Sequence, residues 1–66
     1  MYKNIRDLRE DHDITQSEVA SFLGIAQNTY SQYETGKIPF TADMLVSLAY
    51  YYKTTVDYLL GRSNKL

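Results

Sequence analysis

The chain of 66 residues has no cysteine, which excludes a disulfide framework and a thiolate metal site. It lacks any run of about 18 apolar residues, which excludes a membrane-spanning helix. No signal-peptide pattern precedes Ile5, and a soluble protein in a cytoplasmic setting is the expectation. An excess of positive charge is missing too: 7 Lys and Arg stand against 8 Asp and Glu, for a formal charge of −1. Net charge governs non-specific attraction to phosphates, whereas groove reading depends on the chemistry of one face. The acidic balance therefore lowers the affinity expected for a polyanion without cancelling specificity. Hydrophobic residues make up 44% of the chain, enough for one small core and one domain. At this length a chain buries only roughly 60% of the surface its unfolded form exposes, so modest stability is expected.

What is present centres on Thr15 to Gly36, TQSEVASFLGIAQNTYSQYETG. Thr15-Gln16-Ser17-Glu18 sets a hydroxyl and a carboxylate three residues apart, the capping-box pattern that satisfies two orphan amide donors at a helix start. Val19, Ala20 and Leu23 follow at helical spacing, and Gly24 can end the helix in a left-handed conformation. Only Ile25 and Ala26 precede a second helix, Gln27 to Thr35, whose apolar side is Ala26, Tyr30 and Tyr33 and whose polar side is Gln27, Asn28, Ser31, Gln32 and Thr35. So brief a connection forces the helices to cross steeply, with the small Ala20 allowing close approach. The spacing predicts a helix-turn-helix whose second helix faces outward. Its amides pair a donor with an acceptor and can meet adenine N6 and N7 in a major groove.

On either side the periodicity predicts further helices. Ile5-Arg6-Asp7-Leu8-Arg9-Glu10-Asp11-His12 reads as a first helix with Ile5 and Leu8 inward and Tyr2 packed beneath it. Arg9 read alone is a solvated surface charge. Thr41 caps a fourth helix with the stripe Leu45, Leu48, Ala49 and Tyr52. Thr54 to Asp57 repeats the cap pattern for a short fifth helix in which Val56, Leu59 and Leu60 turn inward before Gly61, leaving a frayed tail from Arg62 to Leu66. Of the 7 tyrosines, Tyr30, Tyr33 and Tyr52 fall in core stripes. Tyr50 and Tyr51 lie beside the fourth helix's stripe and Tyr58 on the outer side of the fifth, and neighbouring exposed aromatics mark an interface.

His12, beside Asp11 and Asp13 and near Ser17, invites comparison with a catalytic triad. That chemistry needs nucleophile, base and orienter in mutual hydrogen bonds beside an oxyanion site. Residues crowded into one exposed turn of a small helical domain offer no cleft, so no enzyme is expected. One His among scattered carboxylates also lacks the spacing of metal ligands. No cofactor is called for.

The sequence resembles the phage repressor and Cro type of helix-turn-helix regulators, often called Xre-like. The resemblance rests on Gln16, Ala20, Gly24, Ile25, Tyr33-Glu34-Thr35-Gly36, Leu48-Ala49 and Val56-Asp57-Tyr58-Leu59-Leu60, and covers nearly the whole chain. It implies an all-α, compact five-helix fold and pairing of Arg9 with Glu34. Three departures stand out. Ala26 occupies a position where the family commonly has Ser or Thr, and a missing hydroxyl cap costs about 1 kcal/mol. Tyr30 replaces a smaller aliphatic residue and reads as core packing. The loop Lys37-Ile38-Pro39-Phe40 carries only Lys37 where the family often has several basic residues, so backbone anchoring should be lean.

Together these readings imply a transcriptional regulator of repressor type. It would bind duplex DNA as a homodimer on a near-palindromic operator, with Gln27, Asn28, Ser31 and Gln32 at base edges. Gln16, aided by the helix dipole, and Lys37 would meet phosphates. Tyr50, Tyr51 and Tyr58 would form the dimer interface. The rival reading is a protein-interaction module of the same fold, antitoxin-like or inhibitor-binding, whose acidic first helix meets a basic surface.

Overall fold

Five helices, and no strand among the described residues, follow one another in the order α1 (Lys3–Asp11), α2 (Gln16–Leu23), α3 (Gln27–Glu34), α4 (Ala42–Tyr52) and α5 (Val56–Leu59). The computed structural model describes residues 3–62. The expected packing of Tyr2 and the tail from 63 to 66 lie outside the described residues.

Each helix start has a local cause. Thr15 forms the full capping box: its hydroxyl accepts from Glu18 N at 3.1 Å, while Glu18 Oε1 accepts from Thr15 N at 3.1 Å. Thr41 Oγ1 accepts from Met44 N at 3.1 Å and Thr55 Oγ1 from Tyr58 N at 3.0 Å, so α4 and α5 begin on threonine hydroxyls. The cap of α5 is thus Thr55 and not Thr54. The reason lies at the end of α4, where Lys53 adopts a left-handed φ of 55°. Thr54 N then reaches back to Ala49 O at 2.9 Å. Thr54 therefore closes α4 before the next helix starts.

Gly24 ends α2 at φ 75°, as its sequence position suggests. Asp13 makes a similar reversal after α1 at φ 55°. An aspartate tolerates that region better than most residues, and the reversal lets Ile14 N bond to Arg9 O at 3.0 Å.

Ile5 and Leu8 of α1, Val19 and Ala20 of α2, Tyr30 of α3, Leu48, Ala49 and Tyr52 of α4, and Leu59 of α5 are buried in one core. Ala20 at the α2–α3 crossing is 1% exposed, and Ile25 N bonds to its carbonyl at 3.0 Å. Small size there brings the two helices together, and burying apolar surface at roughly 25 cal/mol per Å² holds them. Asn4 Nδ2 donates to Tyr58 O at 2.7 Å, tying α1 to α5.

Three placements differ from the spacing-based reading. Ala26 is exposed at the cap of α3 instead of lying on its apolar side. Tyr58 is half-buried and packs on the core, because α5 is one turn long and has neighbours on more than one side. Tyr51 is half-buried against Phe22, ring centroids 4.3 Å apart.

Candidate nucleic-acid interface

The outward side of α3 carries Gln27, Asn28 and Gln32, all exposed, with Ser31 half-buried beside them. No side chain caps this helix, since Ala26 has extended geometry (φ −72°, ψ 151°) but no hydroxyl. Its amino end therefore keeps orphan amide donors, which favour an anion. Thr35 Oγ1 donates back to Ser31 O at 2.9 Å. Lys37 is exposed just beyond the helix, and its backbone N bonds to Gln32 O at 2.9 Å.

Beneath this surface lies a buried polar cluster. Glu34 is 3% exposed. Its Oε2 accepts from Arg9 Nε at 2.9 Å and from Tyr30 OH at 2.7 Å. Its Oε1 accepts from Arg9 Nη2 at 3.0 Å and from Gln16 Nε2 at 3.1 Å. Arg9 Nη1 in turn donates to Ile14 O at 2.9 Å. One carboxylate thus joins α1, α2 and α3. Burial by itself would raise its pKa, but the hydrogen bonds from Arg9, Tyr30 and Gln16 and the Arg9 charge outweigh burial and hold it below the ordinary carboxylate range. The Arg9 guanidinium shifts upward, chiefly through its bond to Glu34. Burial, then the bond to Glu34, pushes the Tyr30 hydroxyl well above its usual value.

Gln16 does not stand free toward solvent. Its nitrogen bonds to Glu34, and its oxygen accepts from Gln27 Nε2 at 3.3 Å. The amide expected at a phosphate and one expected at a base edge are therefore bonded to each other. This contact was not read from the sequence, and neither was the Tyr30 hydroxyl on Glu34. The latter had a signal, since the two residues stand one helical turn apart.

The remaining sites are separate. Tyr50 is 80% exposed, and Val46, one turn before it, is 60% exposed. His12 turns Nδ1 to Leu8 O at 2.8 Å instead of toward Ser17, and its ring lies 5.6 Å from that of Tyr52. Among the described residues no group of three His, Cys, Asp or Glu side chains could hold a metal ion. No helix there is long and apolar enough to cross a membrane.

A cap, a left-handed glycine, a buried alanine and an outward amide-bearing helix make up residues 15–36, and the family model described as "Helix-turn-helix" matches residues 5–59. The chain belongs to the helix-turn-helix family. It is 39% identical over 59 residues to the uncharacterised HTH-type transcriptional regulator YobD of Bacillus subtilis, covering 89% of this chain and 53% of that protein. It is 37% identical over 59 residues to the cryptic phage CTXphi transcriptional repressor RstR of Vibrio cholerae, covering 89% and 53%. To the antitoxin PezA of Streptococcus pneumoniae it is 31% identical over 64 residues, covering 97% and 40%. The chain thus spans about half the length, or less, of these curated relatives. No solved structure matches it.

The family match extends beyond the two central helices into α1 and α5. That extent agrees with a core drawn from all five helices, in which α3 is held by α1 through Arg9 as well as by α2.

Proposed function

We propose that these residues form one DNA-binding domain of a transcriptional regulator of repressor type, which reads the major groove with α3. The observation that carries this reading is the exposed, uncharged amide face of Gln27, Asn28 and Gln32 above a helix pinned at Glu34. The only acidic residue of α3 is Glu34, and it is buried and paired, so nothing on the outward face repels a phosphate backbone. That answers the formal charge of −1. Much of the acidity, Asp7, Glu10, Asp11 and Asp13, belongs to α1 and the turn after it.

In this reading Gln27, Asn28, Ser31 and Gln32 meet base edges, and Gln16 and Lys37 meet phosphates. Gln16 does so with its second amide N–H while keeping its bond to Glu34. A second copy, joined through the α4 and α5 surface that bears Tyr50, Tyr51 and Tyr58, sets two α3 helices about 34 Å apart on a near-palindromic operator. The protein acts in the cytoplasm, without cofactor and without enzymatic activity.

Selection of bound duplexes from a random pool, followed by salt titration, tests it. Asn28→Ala and Gln32→Ala should weaken the preferred site towards the non-specific level, each good bidentate contact being worth about 1 to 3 kcal/mol of discrimination. Lys37→Ala should weaken all sites together and reduce the salt slope by roughly 1. If Gln27, Asn28 and Gln32 can all become alanine with the selected sequence unchanged, α3 is not the reader. The second reading, an antitoxin-like interaction module, is favoured by the PezA relative and by the apolar exposure of Val46 and Tyr50. It gains if no duplex is selected at low salt.

A further inference from the structure

Helix α4 turns one stripe to solvent. Asp43, Val46, Tyr50 and Lys53 are all exposed, Val46 at 60% and Tyr50 at 80%. Steps of three, four and three residues keep them on one side of the helix, opposite the buried Leu48 and Tyr52. The ion pairs among the described residues join Lys3 to Asp7 and Arg9 to Glu10 and Glu34, and none engages Asp43 or Lys53. The order along the stripe is acid, apolar, apolar, base. It is symmetric about the level of Leu48: Val46 and Tyr50 lie two residues to either side of it, Asp43 and Lys53 five. The two charges are therefore about 15 Å apart at 1.5 Å per residue, one at each end of an apolar middle.

An antiparallel copy of the same stripe, turned about that level, sets acid against base at both ends and apolar against apolar between them. A parallel copy sets acid on acid and base on base. A slip of three residues in the antiparallel pair sets Asp43 against Tyr50, or Lys53 against Val46. One arrangement is thus favoured and its neighbours are penalised.

We propose that the outward stripe of α4 is a self-recognition surface, on which a second copy of this chain docks antiparallel, Asp43 facing Lys53 and Val46 facing Tyr50. This pairing rests on the reading in which a second copy joins through α4 and α5, and it narrows that surface to α4. Tyr51 and Tyr58 stay outside it, since Tyr51 stacks on Phe22 and Tyr58 packs on the core. A second copy carries the matching order of charges by necessity, whereas a chain whose fourth helix bears them in another order is rejected. A stripe of four side chains is small beside the about 800 Å² per partner of a standard interface. The contact is therefore weak in free solution and gains strength once two copies occupy one duplex, where each raises the effective concentration of the other.

Sedimentation at millimolar concentration and low salt, without DNA, tests the pairing whether or not α3 reads a groove. Wild type should self-associate. Asp43→Lys and Lys53→Asp each leave one sign of charge at both ends, so either protein alone should associate about tenfold more weakly, the combined effect of two exposed pairs turned repulsive. An equimolar mixture of the two, with one labelled, should recover the wild-type constant, because opposite charges then meet at both ends. The double variant Asp43→Lys/Lys53→Asp reverses the order but keeps the symmetry, and should recover as well. High salt should weaken wild type, the mixture and the double variant alike. Aspartate tolerates the left-handed backbone at position 53, and recovery on mixing cannot come from proteins that have unfolded.

A mixture that associates no better than its components overturns the antiparallel register. Single variants that associate as wild type does overturn the α4 stripe and leave the second copy to α5. Wild type that stays monomeric here and fills the two half-sites of a duplex independently overturns both this pairing and the homodimer reading. Should Asp43→Lys lose its helical circular dichroism, Lys53→Asp mixed with wild type decides. One end of that pair attracts and the other repels, so its constant should fall between those of the two proteins alone, and equality of all three overturns the register.

Discussion

Arg9 and Glu34, 25 positions apart, meet through two side-by-side hydrogen bonds of 2.9 and 3.0 Å. A planar guanidinium matches a carboxylate in this two-point fashion, which fixes orientation as well as distance. Their side chains are 13% and 3% exposed, so α1 and α3 are joined by charges that water scarcely reaches. Such a pair adds little over an apolar pair of the same volume, yet losing one member leaves the other buried and uncompensated.

Glu34→Ala should therefore destabilise the domain by about 3 to 5 kcal/mol, the range for breaking a buried pair. Arg9→Met/Glu34→Met should cost markedly less. Urea unfolding followed by circular dichroism measures both, and a Glu34→Ala midpoint equal to wild type would show that the pair has no structural weight.

Stability should also depend on pH at both extremes. The folded pKa of Glu34 is depressed, because bonds from Arg9, Tyr30 and Gln16 outweigh the upward pull of burial. Its contribution is therefore present above the unfolded value of about 4.3 and is lost as pH falls through the lower folded value. Tyr30 and Tyr52 are raised, chiefly by burial. Their contribution is complete below the unfolded value of about 10 and is lost as pH rises beyond it. Unfolding midpoints across pH should fall at both ends, and Glu34→Gln, though less stable at neutrality, should lose less on acidification than wild type does.

The bare start of α3 should be improvable. Ala26 already has the extended geometry of a cap residue and makes no side-chain bond. Ala26→Ser should then raise stability by about 0.5 to 2 kcal/mol, while Thr15→Ala, which breaks the capping box of α2, should lower it by a similar amount. Thermal unfolding compares the two, and an Ala26→Ser variant no more stable than wild type would mean that the new hydroxyl cannot reach the N2 or N3 amide.

Tyr50 and Tyr51 should part company on substitution. Tyr50 is 80% exposed, whereas Tyr51 stacks on Phe22 at 4.3 Å. Tyr50→Ala should leave the unfolding midpoint within about 0.5 kcal/mol of wild type, as surface changes do, and should lower self-association in sedimentation runs. Tyr51→Ala should destabilise by at least the ~0.5 to 1.5 kcal/mol that an aromatic pair contributes beyond area burial. A Tyr50→Ala protein that associates as wild type does removes this residue from the dimer surface.

Helix starts and stops, and the stripes that face inward, follow from neighbours within one or two turns, so they can be read along the chain. Thr15 finds Glu18, Gly24 releases α2, and Leu48, Ala49 and Tyr52 line one side of α4. Those local rules are enough to define the outward amides of α3. They miss where the reversal itself uses a residue, as at Lys53, which moved the α5 cap from Thr54 to Thr55. Contacts between helices depend instead on how far one helix reaches around another, and no periodicity encodes that distance. Tyr50 and Tyr51 are adjacent in sequence, but a step of about 100° around the helix sends one to solvent and the other onto Phe22. Tyr33 and Phe40 stack at 5.5 Å across the loop whose sequence points only to its single basic residue, Lys37. The bonds running from Arg9 through Glu34 and Gln16 to Gln27 arise only when three helices converge, because each bond needs donor and acceptor within about 3 Å and suitably aimed. Resemblance supplied the first of those bonds. The others were decided by the packing that brings Gln16 over Glu34.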